Sequence, residues 1–287
     1  MSAGRNSTPG PVVSFSMSIE IGVILPTSTP DPARPILGDV RESARFAEQA
    51  GLDSVWSTDH VIASAPILDS TVVLATAAAV TSRVQIGYGV MLLALRPVAW
   101  AAKQVSTLQY VSGDRVLLGV GTGNPAHGDT GWRAVGASYA DRGRRTDEAL
   151  AVLPDLIAGR EVSLDGGPPV AIAPGAAVPP LLIAGDARPA LRRAAAFGDG
   201  WLAIGLSPEA VAARLGELRR LTDELGRPAL TATIVGPELA AEPRRAAEQL
   251  SAYEAAGARR VILPPAGDGW RSGYEFAAAV RAAVPRT

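Results

Sequence analysis

The chain has 287 residues, 47% of them apolar, a formal net charge of −1 and a pI near 6.2. That length lies close to the roughly 250 residues of one (β/α)8 barrel and supplies enough apolar side chains for a large core. The charge balance argues against nucleic acid or an acidic membrane as partner, the lack of cysteine removes disulfides and thiol chemistry, and no apolar run approaches bilayer length.

In chain order, short apolar runs alternate with helical periods. Residues 1–16 are polar and turn-rich with no apolar h-region. They are expected to form a loose tail, or a leader ahead of an internal start at Met17, on a cytoplasmic protein. Ile19–Leu25 reads as a first strand closed by Pro26. Asp39 followed by Glu42 is a capping-box signature, and Val40, Ala44, Ala47 and Ala50 recur at helical spacing as far as Gly51. Ser54–Ser57 is a second strand ending at Thr58-Asp59-His60, and a helix over 69–81 leads to a third, Val84–Val90. Pro97 opens the next helix, whose Val98, Ala101, Val105, Leu108 and Val111 share a face before Gly113 stops it. Val116–Leu118 is the fourth strand, and helical pattern resumes near Asp141 and runs to Ile157. Glu161–Pro180, polar and rich in Gly and Pro, is expected to be a surface insertion. Strands follow at Pro180–Ala184, Trp201–Ile204, Leu230–Val235 and Arg260–Leu263, with helices at 189–197, 208–225, 243–256 and 274–284.

Eight apolar strands, each followed by a helix at spacings of about 30 residues, predict an all-parallel sheet of the α/β class. Eight units close it into a (β/α)8 TIM barrel, with a short insertion after the fourth helix. An open doubly wound sheet is the alternative. Residues 18–287 are expected to form a single barrel domain behind a flexible tail over 1–17. In either architecture the chemistry lies beyond the C-terminal ends of the strands.

Those ends carry Leu25-Pro26, Thr58-Asp59-His60, Gly89-Val90, Thr122-Gly123-Asn124 with His127, Gly185-Asp186, Ile204-Gly205, Gly236-Pro237 and Pro264-Pro265. Between Arg115 and Gly128 a buried strand passes through Gly119, Gly121 and Gly123 into Asn124 and His127. Such a stretch lets backbone approach a flat ligand, or is a packed strand followed by a flexible loop. It is not a dinucleotide-binding turn, because Pro125 and a polar loop follow where a helix would have to start. Lys103, the sole lysine, lies on an outer helix, so Schiff-base chemistry at a strand end is not expected. His60 and His127 are the only histidines, too few for a binuclear metal site, and Asn124 and Gly236 stand where a glycosidase would need carboxylates. A mouth of glycines and small polar groups suits a planar organic cofactor that carries the reactivity itself.

The ordered segments GVILP, ARFAEQAGLDSVWSTDH, ATAAAVTSRVQIGYGV, AKQVSTLQYVSGDRVLLGVGTGN, YADRGRRTDEAL, PLLIAGDARPALRRAAAFGDGW and LSPEAV give the chain a close resemblance to the luciferase-like flavin and deazaflavin oxidoreductases. It extends from Ile21 to about Val235 and is nearest to the branch that uses coenzyme F420, because of Asp59-His60 and the compact chain. The resemblance implies a non-proline cis peptide at Gly89-Val90 supporting a tricyclic ring. It puts Asp59 and His60 at the ring's polar edge, with His60 handling a proton. Thr122, Gly123, Asn124 and His127 match positions facing substrate and cofactor, and Ala184, Gly185 and Asp186, with Ala203 and Ile204 nearby, match the segment around the phosphate tail. His60, Asp59 and Asn124 form the implied catalytic set.

The sugar-phosphate dehydrogenases of that branch have an acidic residue in place of Asn124 and an aromatic in place of Ser64, so that activity is not expected. Ile204 replaces a residue that often carries a hydroxyl. The implied reaction is hydride transfer between the deazaflavin C5 and a small organic substrate: an activated C=C or C=N bond, or an alcohol in reverse. An FMN-dependent monooxygenase and a non-catalytic flavin-binding barrel are the alternatives, and a homodimer is implied in each case. The bland readings make His60 a buried imidazole bonded to Asp59 and His127 a surface residue. They make Asp186 and Asp199 helix or turn caps, and Arg142, Arg144, Arg145, Asp147 and Glu148 a salt-bridged helix start. Trp201 reads as barrel-wall packing.

Overall fold

The structure, a computed structural model, describes residues 19–27, 38–62, 66–265 and 269–284; the expected tail over 1–17 and Ser64 lie outside them. The first half of the chain runs through β1 (Glu20–Ile24), α1 (Val40–Gln49), β2 (Ser54–Ser57), α2 (Ser70–Val80), β3 (Gln85–Met91), α3 (Val98–Ser112), β4 (Val116–Val120) and the short α4 (Thr130–Ala134). The middle holds α5 (Arg142–Ile157) and the two-residue strands β5 (Val162–Ser163) and β6 (Pro169–Val170). The rest is β7 (Leu181–Ala184), α6 (Arg188–Phe197), β8 (Gly200–Ile204), α7 (Pro208–Glu224), β9 (Thr231–Val235), α8 (Pro243–Ala255), β10 (Ala258–Leu263) and α9 (Trp270–Ala283). The eight expected strands close a parallel barrel in the order β1-β10-β9-β8-β7-β4-β3-β2, and the open sheet is set aside.

Local signals account for most helix ends. Asp39 Oδ1 accepts from the amides of Arg41 and Glu42, at 2.8 and 3.2 Å, so the N-cap half of the expected capping box forms. Glu42 instead pairs with Arg271 on α9. Gly113 closes α3 in the left-handed conformation, φ 67°. Two helices depart from expectation. α9 starts at Trp270, a turn before Tyr274, because the Trp270 ring is buried 5.1 Å from Tyr274 and 5.9 Å from Phe46. α4 arises within the stretch expected to be loop, around Trp132, which is buried edge-on against Tyr139. Five residues give no readable helical period; a tertiary contact made this helix.

The insertion after α5 is an antiparallel β5–β6 hairpin followed by an extended return along α3. Lys103 Nζ donates to the Ala173 carbonyl at 2.9 Å, and Gln109 holds the Ala177 carbonyl with Nε2 while its Oε1 takes the Val116 amide.

Buried apolar residues form three clusters, the smallest of which joins Trp132 and Ala137 to Leu92, Ala94 and Leu95 after β3; the other two fill the barrel and its surround. The larger lies between strands and helices; the smaller, inside the barrel, comprises Trp56, Leu117, Leu182, Leu202 and Ile262. Trp56 is 1% exposed, and its indole Nε1 donates to Ser54 Oγ at 2.8 Å. Gly87 is required beside it, since a Cβ there would overlap the indole ring. Below, Arg260 points inward, pairs with Glu20, donates to Gln85 Oε1 at 2.8 Å and stands 5.7 Å from the Trp56 ring. Indole and guanidinium thus fill the lower barrel, below the C-terminal strand ends.

Candidate active site

The open end is shaped by β3. The Gly89-Val90 peptide is cis, as the resemblance implied, and the β3–β4 register shifts between Tyr88 and Met91. Two of the alternating β4 glycines serve this bulge. A Cβ on Gly119 would overlap the Tyr88 carbonyl oxygen, and one on Gly121 would lie 2.5 Å from Val90 Cγ2. Of the two readings left open for this stretch, close approach of a ligand or strand packing, Gly119 and Gly121 serve the second: they make room for the neighbouring strand. Gly123, φ 86°, faces the Trp132 ring. Val90, Ile24, Ala184 and Val235 lie half-buried against the Trp56 layer and form an apolar floor.

Asp59, at the end of β2, is 4% exposed. Its Oδ2 accepts from Arg96 Nη2 at 2.6 Å and the Leu92 amide at 2.9 Å, and its Oδ1 from Ser70 Oγ at 3.2 Å. One carboxylate therefore ties the β2 end, the start of α2 and the segment after β3. Its partners among the described residues are these three, so the reading of His60 as an imidazole bonded to Asp59 does not hold. Sequence reasoning missed Arg96, whose position 37 residues away and just before a helix-opening proline gave no sign of the contact.

His60 is half-buried, and its ring meets His127 edge to face, with centroids 4.9 Å apart and planes at 76°. Burial pushes the His60 pKa down, and the His127 charge pushes it the same way, against the opposing pull of Asp59. A neutral imidazole at neutral pH keeps one nitrogen as donor and one as acceptor. His127 lies exposed on a 3-10 turn, Pro125–His127, capped by Asn124, whose Oδ1 accepts the Ala126 amide at 3.0 Å. The Asn124 carbonyl oxygen is thus engaged in holding the loop that carries His127. Thr122 is half-buried at the base of that loop.

Across the floor, Ala184 and Gly185 are half-buried and Asp186 is exposed. Gly185 adopts φ 113°, and its carbonyl accepts from Trp201 Nε1 at 2.7 Å, so Trp201 packs the wall and also fixes this turn. Ile204 is 73% exposed at the mouth, whereas the Ala203 side chain lies in the outer core between strands and helices. Ala203 is thus an expected binding residue whose side chain is turned away from the mouth. Asp199 holds the Leu181 amide at 2.9 Å, at the start of β7 and far along the strand from the mouth. Arg144 bridges Asp141 and Glu148, and Asp147 pairs with Arg193 of α6, as a structural helix start would.

The sequence profile of the luciferase-like monooxygenase family matches residues 19–280. The chain belongs to that family. An uncharacterized protein of Mycobacterium tuberculosis is 35% identical over 167 residues, which cover 56% of this chain and 57% of that protein. The F420-dependent hydroxymycolic acid dehydrogenase of the same species is 29% identical over 202 residues, 62% of this chain and 55% of the relative. The chain thus spans little more than half the length of these relatives. Among solved structures, the coenzyme F420-dependent tetrahydromethanopterin reductase of Methanopyrus kandleri superposes with a TM-score of 0.71 at 15% identity, covering 91% of this chain and 97% of that one. At that identity the likeness concerns the fold.

Proposed function

We propose that this chain is an F420-dependent oxidoreductase acting on a small organic substrate, either reducing an activated C=C or C=N bond or oxidising an alcohol. The observation that carries this reading is the floor of Ile24, Val90, Ala184 and Val235 at the open end of the barrel, bordered by His60 and His127. A planar heterocycle suits an apolar floor with few polar groups around it, and the chain offers no lysine at a strand end for other barrel chemistry. Relatives with F420 in their names support the choice of cofactor.

When bound, the deazaflavin supplies or accepts the hydride. The protein's part is positioning, exclusion of water and proton handling. Val90 and Ala184 would support one ring face, and Asp59, through its bonds to Leu92 and Arg96, keeps the segment beside Val90 in place. Gly185, Asp186 and Ile204 would line the path of the phosphate tail. His60 would give or take the substrate proton at an imidazole nitrogen. Asn124 acts by holding the His127 loop. We further propose a single-domain cytoplasmic protein that pairs as a homodimer through the outer faces of α2 and α3, where Val72, Trp100, Tyr110 and Val111 are exposed.

The test mixes the purified protein with F420 and with FMN separately and follows ring fluorescence and co-elution. F420 binding alone supports the proposal. FMN binding alone moves the protein to the monooxygenases that name the family, and binding of neither leaves a non-catalytic barrel.

A further inference from the structure

We propose that His127 is a positioning residue for His60, orienting its ring by edge-to-face contact and opposing its protonation, while the Asp59 carboxylate is held by Arg96, Leu92 and Ser70. The inference rests on the reading of His60 as the proton-handling group and assigns it a partner.

Three observations carry it. The two imidazoles are in edge-to-face contact at 4.9 Å, bridging the β2 and β4 ends of the mouth. The residue with which His60 would ordinarily pair, its neighbour Asp59, is committed elsewhere by three bonds of 2.6–3.2 Å. The His127 turn is itself built: Asn124 caps it through the Ala126 amide, and the His127 amide donates to the Asn124 carbonyl at 3.1 Å. The loop thus presents an imidazole to His60 on one side and to solvent on the other.

The physics is that of two titrating groups in contact. A positive charge on the neighbouring ring opposes a proton on His60, in the same direction as burial. The other charged groups on the surrounding segments are paired or capped. Asp59 is bound to Arg96, Asp129 to Arg133 on the β4 loop, and Asp69 accepts the Val72 amide at the start of α2.

The chain contains only two histidines, which makes the test direct. The imidazole C–H resonances of the cofactor-free protein are followed by NMR across pH 4 to 9 in the wild type, His127→Gln and His60→Gln, so each variant retains one assigned signal. The expected result is that the His60 midpoint rises in His127→Gln. His127→Arg, carrying a permanent charge, lowers the His60 midpoint below the wild-type value. A His60 curve that is unchanged in His127→Gln overturns the proposal. His127 is exposed on a surface turn, and retention of the far-UV spectrum in each variant checks folding. The titration needs no cofactor, so its failure is distinct from a failure of F420 to bind.

Discussion

Asp59 shows how much of this mouth depends on one side chain. A carboxylate nearly out of contact with water is tolerable only when its oxygens are satisfied, and here Arg96 supplies the countercharge while Leu92 and Ser70 supply the remaining donors. Removing the charge strands the Arg96 guanidinium, itself largely buried. Asp59→Ala is expected to cost about 3 kcal/mol in a urea titration, since breaking one side of a buried pair leaves an uncompensated charge. Because the same carboxylate anchors the segment next to Val90, ring binding should fall in the variant even where it remains folded. A loss under ~1 kcal/mol would mean that the pair is looser than its 2.6 Å contact indicates.

At the scale of elements, two contacts across chain segments set where β3 runs. Glu48, near the end of α1, accepts from the amides of Ser82, Arg83 and Val84, with distances of 2.6–3.1 Å, and so ties the α2–β3 turn to α1. Partial burial pushes its pKa up, but the three amides and the Arg83 charge outweigh this and hold it below the usual glutamate range. The carboxylate therefore favours the folded state above the unfolded glutamate value near ~4.3, and that contribution is lost as pH falls below it. Glu48→Gln should destabilise the protein by about 1 kcal/mol at pH 7 and flatten the acid side of its stability curve. A variant with an unaltered acid limb would show that the amides find other partners. On the other side of β3, Gly119→Ala drives a methyl group into the Tyr88 carbonyl, which is backbone and cannot rotate away. The β3–β4 ladder must then separate, at a cost of about 2 kcal/mol or more, read as a lowered midpoint in thermal unfolding and weaker ring binding.

At the scale of the molecule, the barrel is a packed object below and an open one above, and Trp56 is the boundary. Its indole fills the centre and supports the floor of Ile24, Val90, Ala184 and Val235. Trp56→Ala should cost about 3–5 kcal/mol through lost burial and the cavity left behind. The floor would also lose its support, so ligand affinity should drop more steeply than in a variant of equal stability mutated in the outer shell, such as Leu218→Ala. Equal affinities in the two would show that the floor stands independently of the indole.

The sequence by itself determined the alternation of eight strands and helices, because periodicity of apolar residues is a local property. Asp39, Gly113 and the proline-led starts marked helix ends for the same reason: capping uses neighbours in the chain. It also ordered the strand ends, since a closed parallel barrel brings the C-terminal ends of distant strands to one face. What only the tertiary structure decided were pairings between segments far apart in sequence. Arg96 with Asp59, His127 with His60, the glycines of β4 with the bulge of β3, and Trp132 with Leu92, Ala94 and Leu95 all depend on which side chains meet once the ring closes. Spacing along the chain carries no record of such contacts, because they are set by strand register and by the packing of loops over the barrel mouth.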